Sequence, residues 1–380
     1  MNLHRSGNLT TLPLLTKRPS SGPQSIALNE ESFHRMIALE RKRTERSRNP
    51  FLLMLLETSD SLESDDHENL LSKALSILSD SMRETDVSGW YKGRSVVGVM
   101  FTQVGSEVRT ATVNMMLARV SATLRTVLGA EQFSQVSISF HLFPESDHEV
   151  SDSNPALYPD LLRRHQARKF SSAVKRMMDV AGSALALAAF TPLFLVIAVA
   201  IKLSSAGPVF FRQQRIGQYG VPFVFLKFRS MYANNDSSVH KKYIEELIRG
   251  QAERKLSNGG QGIYKLTSDA RITPVGSVLR RTSLDELPQF LNVLRGQMSL
   301  VGPRPPIAYE VKAYDIWHRS RLYEAKPGIT GLWQVTGRSR VKFDDMVRLD
   351  FQYARTWSLW LDLKILMQTP RAVVLGEGAY

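Results

Sequence analysis

A run of 22 consecutive residues without a charge, Val180 to Ile201, constrains this 380-residue chain more than any other feature. The run is long enough to cross the hydrocarbon core of a bilayer as a helix. The alternative is a helix buried in a soluble core, but such helices are rarely apolar on every face. We therefore expect this segment to enter a membrane.

Basic residues lie at both ends of the apolar run. Residues 161–215 include nine lysines and arginines but one acid, Asp179. Positive charge marks the cytoplasmic side of a membrane segment, so both ends are predicted to lie on that side. Thr191 and Pro192 stand near its midpoint, where proline removes a backbone hydrogen bond and bends a helix. These features favour a re-entrant hairpin over about residues 177–203 rather than a straight span.

The part of the chain before this run alternates between helical and strand-like periodicity. A capped amphipathic helix is predicted from Asn29 to Arg46. Strands are predicted for PFLLMLLE, SVVGVMF and VSISFHLFP, and helices for ENLLSKALSILSDSMRE and TATVNMMLARVSATLRTVL. This alternation predicts a compact α/β or α+β domain over residues 29–145. A disordered polar tail (1–28) without a secretory signal is expected before it, and a polar linker (146–170) after it.

The stretch RRTSLDELPQF sets Asp285 beside Glu286. One interpretation is a helix that begins with a capping box between Ser283 and Glu286. Pro288 would then lie inside the helix and cost a hydrogen bond. A helix that starts two or three residues later places Pro288 in its first turn, where proline is tolerated. Taken alone, the stretch favours a helix start over a catalytic acid pair.

Nearby arginines change this interpretation. Arg280 and Arg281 precede the acids, and the motif GPRPP follows with Arg304. Arginine binds phosphate oxygens through two parallel hydrogen bonds. Carboxylates beside a phosphate need a bridging divalent cation, and Mg²⁺ takes one or two carboxylates together with substrate phosphates. The chain has no cysteine, no Walker motif and no HExxH motif. We therefore expect phosphate chemistry at a membrane surface.

From about Lys175 to its end, the chain resembles the bacterial sugar transferases, the monotopic polyprenyl-phosphate phosphoglycosyl transferases. The resemblance rests on motifs in the family's order: KRMMDV, TPLFLVIAVAIKLSSAGPVFFRQQRIG, FLKFRSM, GSVLRRTSLDELPQFLNVLRGQMSLVGPRPP, KPGITGLWQVTGR and DFQYARTWSLWLDLKIL. It implies a mainly helical, membrane-associated catalytic domain over residues 171–380, with the re-entrant hairpin turned back at Thr191 and Pro192.

The resemblance also implies an activity. Such enzymes transfer a sugar 1-phosphate from a UDP-sugar to a polyprenyl phosphate with Mg²⁺ and release UMP, which initiates exopolysaccharide, capsule or another lipid-linked glycan. Asp285 matches the nucleophile, which forms a covalent phosphosugar intermediate and meets the metal, and Glu286 matches its partner. The remaining matches are phosphate-binding Lys227, Arg280, Arg304 and Arg338, and supporting Asp350, Pro303 and Pro305.

Two local expectations accompany these roles. A carboxylate at a helix N-terminus is expected to keep a low pKa, which leaves Asp285 ionised for attack. Where the family has Gly-Asp-Met-Ser, this chain has GQMS. We expect Gln297 to serve there in local hydrogen bonding.

Residues 29–145 are similar, more faintly, to GGDEF (diguanylate cyclase-like) domains, which implies a ferredoxin-like α/β fold. RKRTERSRNPFLLMLLE and RETDVSGWYKGRSVVGVMF follow that family's order, but Lys92 to Val96 (KGRSV) replace its Gly-Gly-Asp-Glu-Phe signature. Cyclase activity is therefore not expected, and a regulatory or dimerising role is favoured. An unrelated α+β domain is the alternative.

The formal net charge of +13 implies attraction to polyanions. Because basic residues cluster around the apolar run, anionic lipid is a better match than nucleic acid. The expected partners are a UDP-sugar, a polyprenyl phosphate and membrane lipids, and a homodimer is one option for assembly. Both domains are expected on the cytoplasmic face of the bacterial inner membrane. A membrane-anchored nucleotide-sensing signalling protein is the alternative function.

The segment WSLWLDLKILMQTP near the C-terminus allows two interpretations. Trp357 and Trp360 beside aliphatic residues suit a helix at the membrane interface. A core helix has the same periodicity. The identity of the sugar is not predicted, because the motifs serve the phosphates and the metal that all donors share.

Overall fold

The computed structural model describes most of the chain. The described residues are 27–58, 64–79, 82–93, 95–102, 104, 111–144, 154–167, 169–232, 238–252, 255–256, 262–263, 271–337 and 340–374. Most of the predicted tail, and Arg338 of the predicted site, lie outside them.

A four-stranded sheet with helices forms the N-terminal unit. Its elements are α1 (Glu30–Ser47), β1 (Phe51–Thr58), α2 (Ser64–Ser79), β2 (Val87–Lys92), β3 (Val96–Phe101), α3 (Ala111–Ser134) and β4 (Val136–Phe143). The strand order is β2-β3-β1-β4, and all neighbours are antiparallel. After α1, this βαββαβ sequence is the ferredoxin-like arrangement that was expected.

Strand β2 is the element of this unit that the sequence did not predict, because its Gly and Lys residues are of types that are depleted in strands. Tertiary packing accounts for it. Gly89 of β2 pairs with Gly98 of β3, and Phe33 of α1 lies across both. A Cβ atom at Gly98 would stand 2.4 Å from the Phe33 ring. The two glycines therefore make room for a buried aromatic side chain.

Part of the predicted linker (146–170) is folded. It contains a short 3₁₀ turn, Pro155–Leu157, and the helix α4 (Pro159–Ala167). Leu157 and Leu161 are buried in a core that combines N-terminal residues with residues of the C-terminal half. The Tyr158 ring stacks on that of Tyr323 at 3.6 Å between centroids. The two halves of the chain therefore share one hydrophobic core.

The C-terminal unit is mainly helical, as predicted. Its elements are α5 (Lys169–Ser204), β5 (Phe210–Ile216), β6 (Pro222–Phe228), α6 (Ser238–Ile248), β7 (Lys255–Leu256), β8 (Gly262–Ile263), α7 (Pro274–Arg281), α8 (Gln289–Leu294), β9 (Ser299–Val301), α9 (Ala308–Ala313), α10 (Ile316–Arg319), α11 (Arg321–Glu324), β10 (Gly328–Thr330), α12 (Leu332–Thr336), α13 (Phe343–Thr356) and α14 (Leu359–Val374). β5 pairs with β6 and β7 with β8 in antiparallel fashion, whereas β9 and β10 are parallel.

Helix α5 contains the apolar run. Its segment Phe170–Ser204 is long and apolar enough to cross a membrane, and only 11% of its most apolar window is buried. The expected break at Thr191 and Pro192 does not interrupt the helix, which continues through both residues. Proline removes a single N–H, which leaves the carbonyl four residues earlier unpaired. The Thr191 hydroxyl donates to the Leu187 carbonyl at 2.7 Å, a contact that often bends helices.

Both ends of α5 pack against the rest of the C-terminal unit. Near its N-terminus, Lys175 Nζ lies 2.6 Å from the buried carboxylate of Asp362, and Asp179 accepts hydrogen bonds from β9. Near its C-terminus, Ile197 and Ile201 are buried in a cluster with side chains of β6 and α7. The middle of the helix is exposed, including Leu185 and Leu195 at 72% and 66%.

Candidate active site

The acid pair lies in a 3₁₀ turn, Leu284–Glu286, between α7 and α8. Ser283 before it has a left-handed φ of 56°, and its side chain caps nothing. The capping-box interpretation is therefore wrong. Pro288 directly precedes α8 with helical dihedral angles, so the helix begins later than the capping box required, and Pro288 lies one residue before the first turn that the second interpretation gave it. Both acids precede the helix rather than belonging to it.

Lys227 of β6 joins the two carboxylates. Its Nζ donates to Glu286 Oε1 at 2.7 Å and lies 3.4 Å from Asp285 Oδ2. Asp285 is 6% exposed, whereas about a third of the Glu286 side chain, 34%, is exposed. Consecutive acids thus converge on one cation, because the 3₁₀ turn directs both side chains towards β6.

Asn292 of α8 positions β6, and with it Lys227. The buried Asn292 side chain donates to the Val224 carbonyl at 2.7 Å and accepts from the Leu226 N–H at 3.1 Å. It also donates to Gln297 Oε1 at 2.8 Å. Gln297 therefore has the local hydrogen-bonding role expected of it, as an acceptor that orients Asn292.

The pKa of Asp285 differs from expectation. Burial raises the pKa of this carboxyl above its ordinary value; Lys227 opposes the shift, Glu286 adds to it, and Arg280 opposes it. The expected low pKa is wrong for two physical reasons. Helix α8 begins only at Gln289, so its dipole is not adjacent, and a low-dielectric environment disfavours the charged form.

The pKa of Glu286 shifts in the opposite direction to that of Asp285. Burial acts to raise the pKa of its carboxyl, but Lys227, Arg304 and Arg215 together outweigh burial, so the pKa is lowered. The two neighbouring carboxyls are therefore pushed apart in acidity. Such a division is typical of acid pairs with separate roles in catalysis.

Arg280 at the end of α7 faces Asp285 closely enough to lower its pKa. Its Nη1 is buried and has no hydrogen-bond partner among the described residues. An unpartnered buried donor of this kind costs free energy. An anion bound beside Asp285 would supply the missing partner.

Glu310 is a site residue that the sequence interpretation missed. Its side chain is 3% exposed, and its Oε1 lies 3.4 Å from Arg304 Nη1. Its Oε2 accepts from the Ile307 N–H at the start of α9. Burial acts to raise the pKa of Glu310, but Arg304 and Arg215 reverse this and lower it. A glutamate at the third position of a helix is a capping signal, which could have marked it.

Arg215 of β5 was also missed, because it was counted only as a flanking charge. It is buried, and its Nη1 donates to the Pro305 carbonyl at 2.6 Å. The guanidinium group stacks 4.6 Å above the Phe225 ring. Burial, and the charge of Arg304, lower its pKa to about 10. Arg215 thus holds the proline-rich loop beside Glu286.

Asp350 supports the site through a second buried arginine, Arg321. Their side chains form an ion pair at 2.9 Å, and both are almost completely buried. Arg321 also donates to the Arg304 carbonyl at 3.0 Å. Burial raises the pKa of Asp350 to about 6, although Arg321 opposes this. Asp350 therefore positions the Arg304 loop rather than facing the acid pair.

The proline-rich loop is held by its backbone. The Pro303 carbonyl accepts from Gly328 at 2.9 Å, and the Pro306 carbonyl accepts from Ile216 at the same distance. A Cβ atom at Gly302 would stand 2.2 Å from the Lys326 carbonyl oxygen. This close approach requires glycine and fixes the direction in which the loop leaves β9.

The structure therefore brings most of the predicted site residues close together. Asp285, Glu286, Lys227, Arg280 and Arg304 interact directly or electrostatically, with Asp350, Pro303 and Pro305 behind them. Thr191 and Pro192 lie on the exposed middle of α5. Within the described part of the chain, no group of three or more His, Asp or Glu side chains is arranged for a metal. The acid pair offers two carboxylates, a number that Mg²⁺ accepts together with phosphates.

An acid pair bridged by lysine and faced by arginines, beside an exposed apolar helix, defines a site for phosphate chemistry at a membrane. Comparison with known families agrees. The sequence profile described as "Bacterial sugar transferase" matches residues 170–376. The chain belongs to the bacterial sugar transferase family.

Two curated relatives illustrate the family. The exopolysaccharide production protein ExoY of Rhizobium meliloti is 41% identical over 234 residues, which cover 60% of this chain and 97% of ExoY. The UDP-glucose:undecaprenyl-phosphate glucose-1-phosphate transferase of Caulobacter vibrioides is 42% identical over 217 residues, which cover 54% of this chain and 72% of that protein.

A solved structure is similar to the N-terminal unit at a low level. A DGC protein from Thermotoga maritima is 20% identical, covers 32% of this chain and 85% of that protein, and gives a TM-score of 0.27. This score is too low to assign a fold. The GGDEF-like interpretation therefore stays a prediction, whereas the ferredoxin-like strand order is observed directly.

Proposed function

We propose that this protein transfers a sugar 1-phosphate from a UDP-sugar to a polyprenyl phosphate, the first step of a lipid-linked glycan such as an exopolysaccharide. The name of the Caulobacter relative states this reaction for glucose, and that of ExoY states exopolysaccharide production. The observation that carries the proposal is the convergence of Asp285 and Glu286 on Lys227.

In the first half-reaction, an Asp285 carboxylate oxygen attacks the phosphorus that carries the sugar. The bond from this phosphorus to the bridging oxygen of the diphosphate breaks, and UMP leaves with that oxygen. Asp285 then carries the sugar phosphate as an acyl phosphate. A buried carboxylate suits this role, because partial desolvation removes hydrating water that would otherwise lower its reactivity as a nucleophile.

In the second half-reaction, a phosphate oxygen of the polyprenyl phosphate attacks the same phosphorus. The bond to Asp285 breaks, which restores the carboxylate and forms a polyprenyl diphosphate sugar. One site thus serves a soluble donor and a lipid acceptor in turn. Lys227 supplies positive charge throughout, since it contacts both acids.

Two arginines are placed to stabilise the negative charge that develops on phosphate oxygens in both half-reactions. Arg280 has a buried Nη1 without a partner among the described residues, which would bind a phosphate oxygen next to Asp285. Arg304 is held by Glu310 and is 39% exposed, so it can still reach substrate. Preorganised donors of this kind stabilise developing negative charge without reorganisation.

The two acids also suit a magnesium ion. Their oxygens already converge on one positive group, and Mg²⁺ commonly combines one or two carboxylates with substrate phosphates. When bound, the ion would neutralise phosphate charge and lower the pKa of Asp285, which burial otherwise raises. Asp285 would hold it, with Glu286 beside it.

We also propose that α5 is re-entrant and that both units lie on the cytoplasmic face. The N-terminal unit precedes α5 and the catalytic unit follows it, yet the two share one core. Helix α5 contacts the rest of the protein on both sides of Pro192, through the buried Ser183 before it and the buried Ile197 after it. Contact with the protein at both ends suits a segment that enters one leaflet and returns.

The proposed reaction has a direct test. Purified protein in detergent, given UDP-sugars, Mg²⁺ and undecaprenyl phosphate, should release UMP, and a donor screen would identify the sugar. With labelled UDP-sugar but no acceptor, the sugar phosphate should stay on the protein, and Asp285→Asn should abolish both signals. Full turnover by Asp285→Asn would show that another residue is the nucleophile.

The re-entrant helix can be tested against a clean background, because the chain contains no cysteine. Single cysteines at Lys73 in α2 and Arg348 in α13 lie before and after α5. In intact cells, a membrane-impermeant maleimide should label neither, and in inverted vesicles it should label both. A cysteine at Leu185 should be protected in each. Labelling of one domain position from outside would contradict the hairpin.

A further inference from the structure

A cavity of about 380 Å³ lies between the N-terminal unit and the catalytic unit. Its walls come from α1, α4, α13 and the α10–α11 turn. Binding sites for small molecules have about 300–1,000 Å³ and are frequent at domain interfaces. The cavity is separate from the acid pair, none of whose residues line it.

Three cations and one half-buried acid, Glu324, which the charges of Arg164 and Arg355 stabilise, lie at the rim of the cavity. Lys42, Arg164 and Arg355 line it, and all three are exposed. Among the described residues, Lys42 forms no side-chain hydrogen bond or ion pair, although its charge acts on Glu45. Arginine and lysine side chains in such a position attract phosphate groups.

Deeper in the cavity, the charges are already paired. Arg41 forms an ion pair with Asp160, and Glu45 accepts a hydrogen bond from Ser320 at 3.0 Å, which links the two units. Arg41 is 6% exposed, and its Nε is buried without a hydrogen-bond partner among the described residues. The cavity therefore offers an unused buried donor below a cationic rim.

Two aromatic side chains also line the cavity. The rings of Trp317 and Phe351 lie 6.3 Å apart between centroids and are inclined by 34°. The Arg355 guanidinium group stands 5.8 Å from the Phe351 ring. Partly exposed aromatic faces next to arginine are surfaces on which a planar heterocycle stacks.

The cavity is mechanically close to the active site. Helix α11 contributes Glu324 to its wall and carries Arg321, and α13 contributes Phe351 and carries Asp350. The buried pair of Arg321 and Asp350 holds the Arg304 carbonyl. A ligand that moves α11 relative to α13 would therefore move Arg304.

We propose that this cavity binds an anionic small molecule with an aromatic ring, of the nucleotide class, and that binding changes turnover through α11 and α13. Phosphate groups meet the rim cations, and the ring stacks beside Trp317 and Phe351. The site is regulatory, because it lies apart from Asp285 and Glu286. The binding half does not depend on the proposed activity, whereas the turnover half does.

Calorimetry on the full-length protein in detergent tests the binding half, with GMP and inorganic pyrophosphate as probes. We expect GMP to bind and pyrophosphate to bind more weakly. The double variant Lys42→Gln/Arg164→Gln should weaken GMP at least tenfold, while the matched Lys73→Gln/Arg83→Gln, on exposed positions elsewhere in the same unit, should not.

Each other outcome overturns the binding half. Absence of GMP binding excludes the nucleotide class, and equal affinity for pyrophosphate excludes a role for the ring. Binding that survives in Lys42→Gln/Arg164→Gln but is lost in Arg280→Gln would place the nucleotide at the acid pair.

A UMP-release assay tests the proposed effect on turnover. Saturating GMP should change the rate at least twofold in the wild type and not in the Lys42→Gln/Arg164→Gln variant. An unchanged rate despite binding would disprove the coupling.

Discussion

Lys227 Nζ lies 2.7 Å from Glu286 Oε1, and the same nitrogen lies 3.4 Å from Asp285 Oδ2. The lysine comes from a strand 58 residues before Asp285. One cation therefore serves two consecutive acids, and the surroundings push their pKa values in opposite directions. This arrangement separates the buried Asp285, the proposed nucleophile, from a more exposed and more acidic partner.

Replacing Lys227 by Met should reduce turnover about 10²-fold or more, because the acids lose their shared cation and the reacting phosphate loses a positive group. UMP release at saturating donor measures the effect. Lys241→Met removes an exposed lysine from α6 and should leave the rate unchanged. Wild-type turnover in Lys227→Met would remove this residue from the site.

Asp350 should make stability depend on pH. Its pKa is about 6 in the folded protein and about 3.9 when unfolded. Because the folded pKa is raised, the stabilisation is complete below about pH 4 and is lost as pH rises through 6. Between pH 4 and 7, the free energy of unfolding of the wild type should fall by about 2–3 kcal/mol relative to that of Asp350→Asn. Denaturant unfolding in detergent at a series of pH values would measure this. Parallel curves for the two proteins would contradict the burial of this acid.

Glu310→Ala should lower kcat/KM about 10–100-fold, because Arg304 loses the carboxylate that orients it and small displacements of a positioning group are costly. Glu310→Gln keeps an acceptor for Ile307 and should recover part of the loss. Donor-dependent UMP release separates kcat from KM. Equal, unchanged kinetics in both variants would show that Arg304 does not need Glu310.

Asp179→Ala should loosen the attachment of α5 to β9. The Asp179 carboxylate accepts from Ser299 Oγ at 3.0 Å and from the Leu300 N–H at 2.9 Å, both in buried positions. Leaving these donors unpaired should cost about 1–3 kcal/mol each. Thermal unfolding in detergent would show a lower Tm. Lys202→Ala, an exposed change at the other end of α5, should not alter it.

Local patterns in the sequence were sufficient where one residue or one period decides the structure. Asn29 caps α1 by accepting a hydrogen bond from the Ser32 N–H. Helix α8 begins only after Pro288, because proline has no N–H to donate to a preceding turn and its ring would clash with that turn. Motif resemblance located Asp285 and Glu286. None of these conclusions needs knowledge of distant residues.

The interfacial interpretation of the C-terminal segment also needed the structure. Trp357 donates to the buried Asp362 at 3.1 Å, so it faces the core. Trp360 and Met367 of α14 are exposed at 68% and 59%. The same helix therefore has a core face and an exposed apolar face, which periodicity alone could not assign to either interpretation.

By itself, the sequence determined the apolar helix, the alternating N-terminal unit and the acid pair, because each depends on residues close together in the chain. Tertiary structure decided which charges meet. Glu310, Arg215 and Arg321 acquire their roles from contacts with Arg304 or its loop. The pKa of Asp285 rises because folding buries it beside Glu286. Burial and charge proximity are properties of distance in space, so sequence order does not predict them.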